Sequence, residues 1–158
     1  MSSHTRLLLA MRDVLRESGI SEVPAAGEFC LPAVSPVLFP GAVYGFAVKL
    51  SHAELLELFN EAVSRKLSRV NAIGDLGSIE EGLYPIYWGK DKQLGARPHQ
   101  HLQDPVGTGA LRLSTYKSLA GKAIACVSLT VSDFNAAERA LQNRYPDLLK
   151  TTKVKHAA

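Results

Sequence analysis

A short stretch at residues 83–101 concentrates side chains that can bind an anion and transfer a proton. It reads LYPIYWGKDKQLGARPHQH, in which two lysines, an arginine and two histidines follow an apolar run. The planar guanidinium of Arg97 can hold two oxygens of one phosphate group, which a lysine does less well. The imidazole of His101 titrates close to neutral pH and can therefore carry a proton. By itself the stretch is equally compatible with an ordinary strand, turn and helix.

Two tyrosines in short triplets on predicted strands extend this set. Tyr44 ends the triplet AVY, and Tyr87 begins the triplet YWG. Farther along the chain, Arg97 and His101 form an Arg-x-x-x-His pattern, and the predicted helix AERALQNRY contains Glu138 near its start. The ordered set resembles the GIY-YIG nucleases, a family named for its two triplets.

The resemblance implies a DNA endonuclease that uses one Mg²⁺ or Mn²⁺ ion to hydrolyse phosphodiester bonds. It assigns the metal to Glu138, the phosphate clamp to Arg97 and the general base to Tyr44, with Tyr87 and His101 orienting the water and Tyr44. Such hydrolysis needs an activated water and stabilised phosphoryl charge, and a carboxylate oxygen suits a hard cation. His101 is an alternative proton carrier because its pKa needs less adjustment than that of a tyrosine.

Each of these residues also has a purely structural interpretation. Strand tyrosines such as Tyr44 and Tyr87 are commonly half-buried aromatics. Trp88 is expected in the core, and Arg97 and Glu138 taken singly are typical surface charges. The alternative function is therefore a catalytically weakened nucleic-acid-binding module with the same fold. A third is a protein-interaction domain.

The chain departs from the family pattern at three places. The 42 residues between Tyr44 and Tyr87 exceed the usual short hairpin and suit a restriction-endonuclease-like member with an enlarged insertion. Pro98 follows Arg97, and because the residue before proline avoids helical angles, Arg97 is expected at a helix N-cap. Lys150 lies near the position of a family asparagine that braces the site. A lysine there either contacts phosphate or weakens the site.

Positive charge is concentrated in the second half of the chain. Residues 1–89 contain seven Lys and Arg against ten Asp and Glu, whereas residues 90–158 contain eleven against five. A clustered positive field attracts nucleic acid, and phosphate contacts add affinity without sequence information. DNA is the expected partner, RNA remains open, and a homodimer or partner subunit would supply specificity. The candidate nucleic-acid-binding residues are Lys90, Lys92, His99, Arg112, Lys117 and Lys150.

The strands and helices predicted around these residues indicate an α+β fold. It consists of a small three-stranded, mainly antiparallel sheet flanked by helices. The predicted strands cover 41–50, 83–88 and 123–131, and the main predicted helices cover 5–19, 51–70 and 132–145. A capping box between Ser51 and Glu54 starts the second helix. The apolar helix faces are Leu8, Met11, Val14 and Leu15 in the first helix and Leu55, Leu58 and Val63 in the second.

Length and composition predict one cytoplasmic domain with short extensions. A chain of 158 residues with 46% hydrophobic residues is long enough for one core. We divide it into an N-terminal helix and irregular extension at 1–40, a nuclease-like domain at 41–150 with a helical insertion at 51–82, and a tail at 151–158. No apolar run reaches the roughly 20 residues that span a membrane. The N-terminus has no secretory signal pattern.

Overall fold

The computed structural model describes residues 2–22, 41–91 and 113–151. Its helices are α1 (Ser3–Glu17), α2 (His52–Ser64) and α3 (Phe134–Arg144). Its strands are β1 (Ala42–Lys49), β2 (Leu83–Asp91) and β3 (Ile124–Thr130). Short 3₁₀ turns occur at Ile73–Asp75, Leu113–Thr115 and Lys117–Leu119. The predicted α+β class is confirmed.

The three strands form one antiparallel sheet in the order β2-β1-β3. The central strand β1 is buried along nearly its whole length, which explains its run of apolar residues. A bulge in the β1–β2 pairing leaves Ile86 without a partner opposite the step from Phe46 to Ala47. The predicted second strand, 83–88, is too short, because Lys90 still pairs with Val43 of β1.

The two faces of the sheet bury separate apolar clusters. On one face Tyr44, Phe46 and Val48 pack with α2 and with the 3₁₀ turns after residue 112. On the other face Val43 and Ala47 pack with residues of α1, β3 and α3. Alternate side chains of one strand therefore serve two cores. Within the described residues, no helix is both long and apolar enough to cross a membrane.

The helices begin at side-chain caps, and the sequence predicts the one at α2. The Ser51 hydroxyl accepts a hydrogen bond from the Glu54 N–H at 3.2 Å, and the Glu54 carboxylate accepts one from the Ser51 N–H at 2.9 Å. The predicted capping box is therefore confirmed. Ser2 and Asp133 cap α1 and α3 in the same way, each accepting from the backbone three residues later.

The predicted helix over 51–70 is too long. Helix α2 ends at Ser64, and Lys66 has a φ of 59°, in the left-handed region. The Leu67 N–H then donates to the Ala62 carbonyl at 2.8 Å, which closes a Schellman motif. The chain leaves the helix here and runs back toward the sheet.

The buried helix faces differ from prediction by one residue in two places. Helix α1 buries Leu7 and leaves Leu8 partly exposed, and α2 buries Ala62 and leaves Val63 49% exposed. Neighbouring apolar residues at both places fit a helical period almost equally well, so the direction of packing decides between them.

The outer edge of β2 is covered by the segment after α3. The backbone N–H groups of Leu148 and Leu149 donate to the Ile86 carbonyl at 3.1 and 2.9 Å. The Trp88 N–H donates to the Asp147 carboxylate at 2.8 Å. A side chain thus completes the hydrogen bonding of an edge strand that would otherwise stay open. This covered edge brings the candidate functional residues together.

Candidate functional site

The two sequence triplets lie on adjacent strands of the sheet and meet at their last residues. Tyr44 pairs with Gly89, and Gly45 pairs with Trp88. A Cβ atom at Gly89 would collide with the ring and hydroxyl of Tyr44, and a Cβ atom at Gly45 would collide with the Trp88 ring. Each glycine is therefore needed so that an aromatic ring of the other triplet can lie over its backbone.

Tyr44 and Tyr87 project from the same face of the sheet. Their ring centroids are 6.2 Å apart with an interplanar angle of 36°. Tyr44 is 1% exposed and also contacts Phe46 edge-on, at 5.9 Å between centroids, whereas Tyr87 is partly exposed. The structure therefore brings the two predicted tyrosines together, with Tyr44 buried and Tyr87 reaching the surface.

Trp88 is a core residue, as expected. It is fully buried on the face opposite Tyr44 and Tyr87, and its indole N–H donates to the Tyr145 carbonyl at 2.7 Å. This bond satisfies its buried polar atom.

Asp147 is a buried carboxylate at the edge of β2 that sequence reasoning missed. Its side chain is 1% exposed. Burial raises the pKa of Asp147 to about 6, while the charge of Arg69 and the hydrogen bond from the Trp88 N–H oppose the rise. The other oxygen, Oδ1, has no hydrogen bond within the described residues. An aspartate in the apolar stretch YPDLL is the signal that could have identified it.

Arg69 is the second residue that sequence reasoning missed. Its Nε atom lies 3.6 Å from Oδ1 of Asp147, and its guanidinium carbon lies 5.5 Å from the centroid of the Tyr87 ring. The first contact is an ion pair longer than a hydrogen bond, and the second is in cation–π range. Arg69 belongs to the connection between α2 and β2, where no sequence pattern singles it out.

Glu138 lies on α3 within electrostatic range of the same cluster. Burial raises the pKa of Glu138 above its usual range, and the positive charges of Lys90, Arg69 and Arg139 oppose that rise. The ammonium of Lys90 donates to the side-chain oxygen of Asn135, one turn before Glu138, at 2.7 Å. Lys90 and Glu138, both predicted site residues, therefore lie in one neighbourhood.

The other predicted residues divide into two groups. Lys117 and Lys150 are exposed. The backbone N–H of Lys117 donates to the carboxylate of Glu61 on α2, and the backbone N–H of Lys150 donates to the Leu67 carbonyl. No contact in the described part of the chain joins either lysine to Glu138. The remaining predicted residues lie outside the described ranges: Lys92, Arg97, His99, His101 and Arg112.

The donor set suits a cation that keeps much of its hydration. Across residues 2–22, 41–91 and 113–151, no group of three or more His, Cys, Asp or Glu side chains is placed to hold a metal ion. Glu138 is a partly exposed carboxylate whose pKa responds to neighbouring positive charges, and the charge of Glu138 contributes to the raised pKa of Asp147. One or two carboxylates with several waters is the usual protein environment of Mg²⁺.

Comparisons with known proteins assign no family to this chain. No protein-family model and no solved structure matches it. A segment of 82 residues is 33% identical to aldehyde oxidase 2 of Macaca fascicularis. That segment covers 51% of this chain and 6% of the length of the oxidase.

Proposed function

We propose that the protein is a metal-dependent endonuclease of the GIY-YIG type that hydrolyses phosphodiester bonds in DNA. The observation that supports this proposal is the pairing of Tyr44, which ends the first triplet, with Gly89, which ends the second. Because of this register, Tyr44 and Tyr87 share one face of the sheet, and the Arg69 guanidinium lies over the Tyr87 ring. The sequence resemblance implies two triplets on adjacent strands with their tyrosines close together, and this arrangement agrees with it.

The charged residues fit the needs of phosphodiester hydrolysis. Glu138 would hold the Mg²⁺ or Mn²⁺ ion, which when bound supplies positive charge to the phosphoryl and leaving oxygens. Lys90 and Arg69 place further positive charge around Glu138. They favour the ionised carboxylate and attract the phosphate backbone. In this proposal Arg97 adds a bidentate clamp on the phosphate.

The proton from the attacking water goes to a group on the tyrosine side of the site. Tyr44 takes this role in the proposal, and Tyr87, whose ring is 6.2 Å away, orients the water. A tyrosine accepts a proton only as the phenolate, so this role requires positive charge close to its oxygen. His101 is the alternative base.

A nucleic-acid-binding module without turnover is the second candidate. The side chain of Tyr44 is 1% exposed, and a general base must reach its water. Under this alternative the Tyr44–Gly89 contact serves packing alone, and the positive charge around Glu138 serves binding.

The deciding experiment is plasmid nicking with Mg²⁺ or Mn²⁺ by the wild-type chain and two glutamate variants. Glu138→Gln removes the charge of the metal ligand with little change in shape. Glu57→Gln is the matched control, because Glu57 is exposed on α2. We expect metal-dependent nicking by the wild type and by Glu57→Gln, and loss of nicking with EDTA or in Glu138→Gln.

DNA binding measured at two salt concentrations, beside the nicking assay, separates the two candidates. Salt-sensitive DNA binding without nicking in either metal contradicts the endonuclease and supports the binding module. Absence of salt-sensitive DNA binding contradicts both and supports a protein-interaction domain.

A single site of this kind cuts one strand. The proposal therefore expects nicked circles before linear DNA, unless the protein acts as a homodimer or with a partner subunit. We place this activity in the cytoplasm. Gel analysis of plasmid forms over time, at several protein concentrations, tests the order of cuts.

A further inference from the structure

The connection between α2 and β2 holds Arg69 rigidly at the candidate site. The Arg69 N–H donates to the Leu148 carbonyl at 2.7 Å, and the Lys150 N–H donates to the Leu67 carbonyl at 2.8 Å. Residues 67–69 therefore pair with the segment that covers the edge of β2. This pairing fixes the backbone of Arg69 relative to the sheet even though the connection contains no long strand.

The side chain of Arg69 is anchored on one side and open on the other. Its Nε atom faces the buried Oδ1 of Asp147 at 3.6 Å, and its guanidinium lies over the Tyr87 ring. The Arg69 side chain is nevertheless 32% exposed. A guanidinium has five N–H donors in a planar fork, and the Asp147 contact engages one edge of it. Within the described residues no hydrogen bond engages the rest of the fork, which has the geometry to bind a planar or tetrahedral anion.

Charge at this site favours an anionic ligand. Three cationic side chains, those of Arg69, Lys90 and Arg139, act on Glu138, and the second carboxylate in range is Asp147. Asp147 is buried, so it neutralises part of Arg69 without itself meeting the solvent. An approaching phosphate therefore meets positive charge from Arg69 on the Tyr87 side and from Lys90 on the α3 side.

We propose that Arg69 is a direct ligand of a backbone phosphate of the nucleic-acid substrate, and that Asp147 is the residue that positions it. This inference deepens the proposed function and rests on it. The enlarged connection between the two triplets thereby supplies a phosphate contact.

The competing explanation is that Arg69 only neutralises the buried Asp147. The two explanations predict different DNA binding when the charges of both Arg69 and Asp147 are removed. If Arg69 serves Asp147 alone, a variant without either charge regains normal DNA binding. If Arg69 contacts phosphate, that variant keeps the defect, because the phosphate contact is still missing.

The test measures binding of a short fluorescent DNA duplex in EDTA over a series of salt concentrations. The variants are Arg69→Gln, Asp147→Asn and the double variant, and the control is Arg16→Gln, which removes a charge that is exposed on α1. Arg69→Gln leaves a buried carboxylate without its cation and can lose the fold. Asp147→Asn and the double variant avoid this problem, since they differ only in Arg69 and contain no buried charge at residue 147.

The quantity compared is the slope of log affinity against log salt concentration. We expect this slope to be shallower by about 0.9 in the double variant than in Asp147→Asn, because one phosphate contact on duplex DNA contributes about that much. Arg16→Gln keeps the wild-type slope. Arg69→Lys keeps the slope because the charge remains, and nicks more slowly because the planar fork is lost. Equal slopes for the double variant and Asp147→Asn overturn the inference.

Failure of this inference is distinguishable from failure of the proposed function. If the wild type nicks DNA with metal but Asp147→Asn and the double variant have equal slopes, only the role of Arg69 is contradicted. If the double variant shows the expected loss of slope but the wild-type protein binds DNA without ever nicking it, only the endonuclease is contradicted. A wild-type protein with no salt-dependent DNA binding overturns both.

Discussion

The sheet contains two glycine–aromatic pairs of the same design on opposite faces. In one pair the Tyr44 ring covers Gly89, and in the other the Trp88 ring covers Gly45. Trp88 is enclosed by α1 and α3, and its single polar atom is hydrogen-bonded to the Tyr145 carbonyl. Tyr44 instead lies next to the partly exposed Tyr87 at the side where Arg69 and Asp147 meet.

The difference between the two pairs shows how one local geometry serves packing and a candidate site. Covering a strand glycine with an aromatic ring restores the packing that the missing side chain would have made. On the Trp88 face nothing more is required. On the Tyr44 face the same contact holds the Tyr44 ring next to Tyr87, whose ring lies under the Arg69 guanidinium. Substitutions in the two pairs should therefore separate loss of stability from loss of activity.

The largest expected loss of stability is for Trp88→Ala. It removes the largest fully buried side chain together with the hydrogen bond to Tyr145, and we expect it to cost about 3–5 kcal/mol in the free energy of unfolding. Urea unfolding followed by circular dichroism measures this value. A cost as small as that of removing an exposed leucine, such as Leu9→Ala, would contradict the assignment of Trp88 to the core.

Asp147 should make stability fall as the pH rises. Its pKa is about 6 in the folded chain, against an ordinary value of 3.8. Between about pH 4 and about pH 6 the folded state therefore holds a proton that the unfolded chain has released, which lowers the free energy of unfolding by about 3 kcal/mol across that range. Above about pH 6 Asp147 is ionised in both the folded and the unfolded state, so stability falls no further.

Replacement of Asp147 by asparagine tests this pH dependence. Asp147→Asn should gain stability relative to wild type as the pH rises through that range, as measured by urea unfolding at several pH values. Asp13→Asn, which removes an exposed carboxylate from α1, is the control. A constant difference between Asp147→Asn and wild type would show that Asp147 does not titrate there.

The two glycines provide a direct comparison between the pairs. We expect Gly45→Ala and Gly89→Ala each to cost about 1–3 kcal/mol, because the added methyl group collides with a buried ring. Gly89→Ala should also slow nicking, since it displaces Tyr44, whereas Gly45→Ala should leave the activity of the folded fraction unchanged. Gly74→Ala is the control, because no atom lies within 4 Å of an added Cβ there. Equal activity of the two strand variants would place Tyr44 outside the site.

The smallest expected change in stability accompanies Tyr44→Phe. The ring and its contact with Gly89 remain, so loss of the hydroxyl should cost about 1 kcal/mol in the free energy of unfolding. If Tyr44 is the general base, the same substitution abolishes metal-dependent nicking while DNA binding persists. Full activity in a stably folded Tyr44→Phe protein would transfer the role to His101.

The sequence by itself determined the order and type of the elements. Alternating and helical periods, the Ser51–Glu54 capping box and the apolar run of β3 are local properties, and each has the structure it predicts. The triplets around Tyr44 and Tyr87 could also be chosen from sequence alone. Their pairing residue by residue depends on the register of two distant strands, which local patterns do not encode.

Only the tertiary structure decided which charges meet. Arg69 and Asp147 are remote in sequence and unremarkable as residue types, and they come together because two irregular segments pair along the edge of β2. Packing likewise chose Leu7 over Leu8 on α1, where adjacent leucines fit the helical period equally well. Burial then gave Asp147 its raised pKa, because desolvation depends on the surrounding atoms and not on the neighbours in the chain.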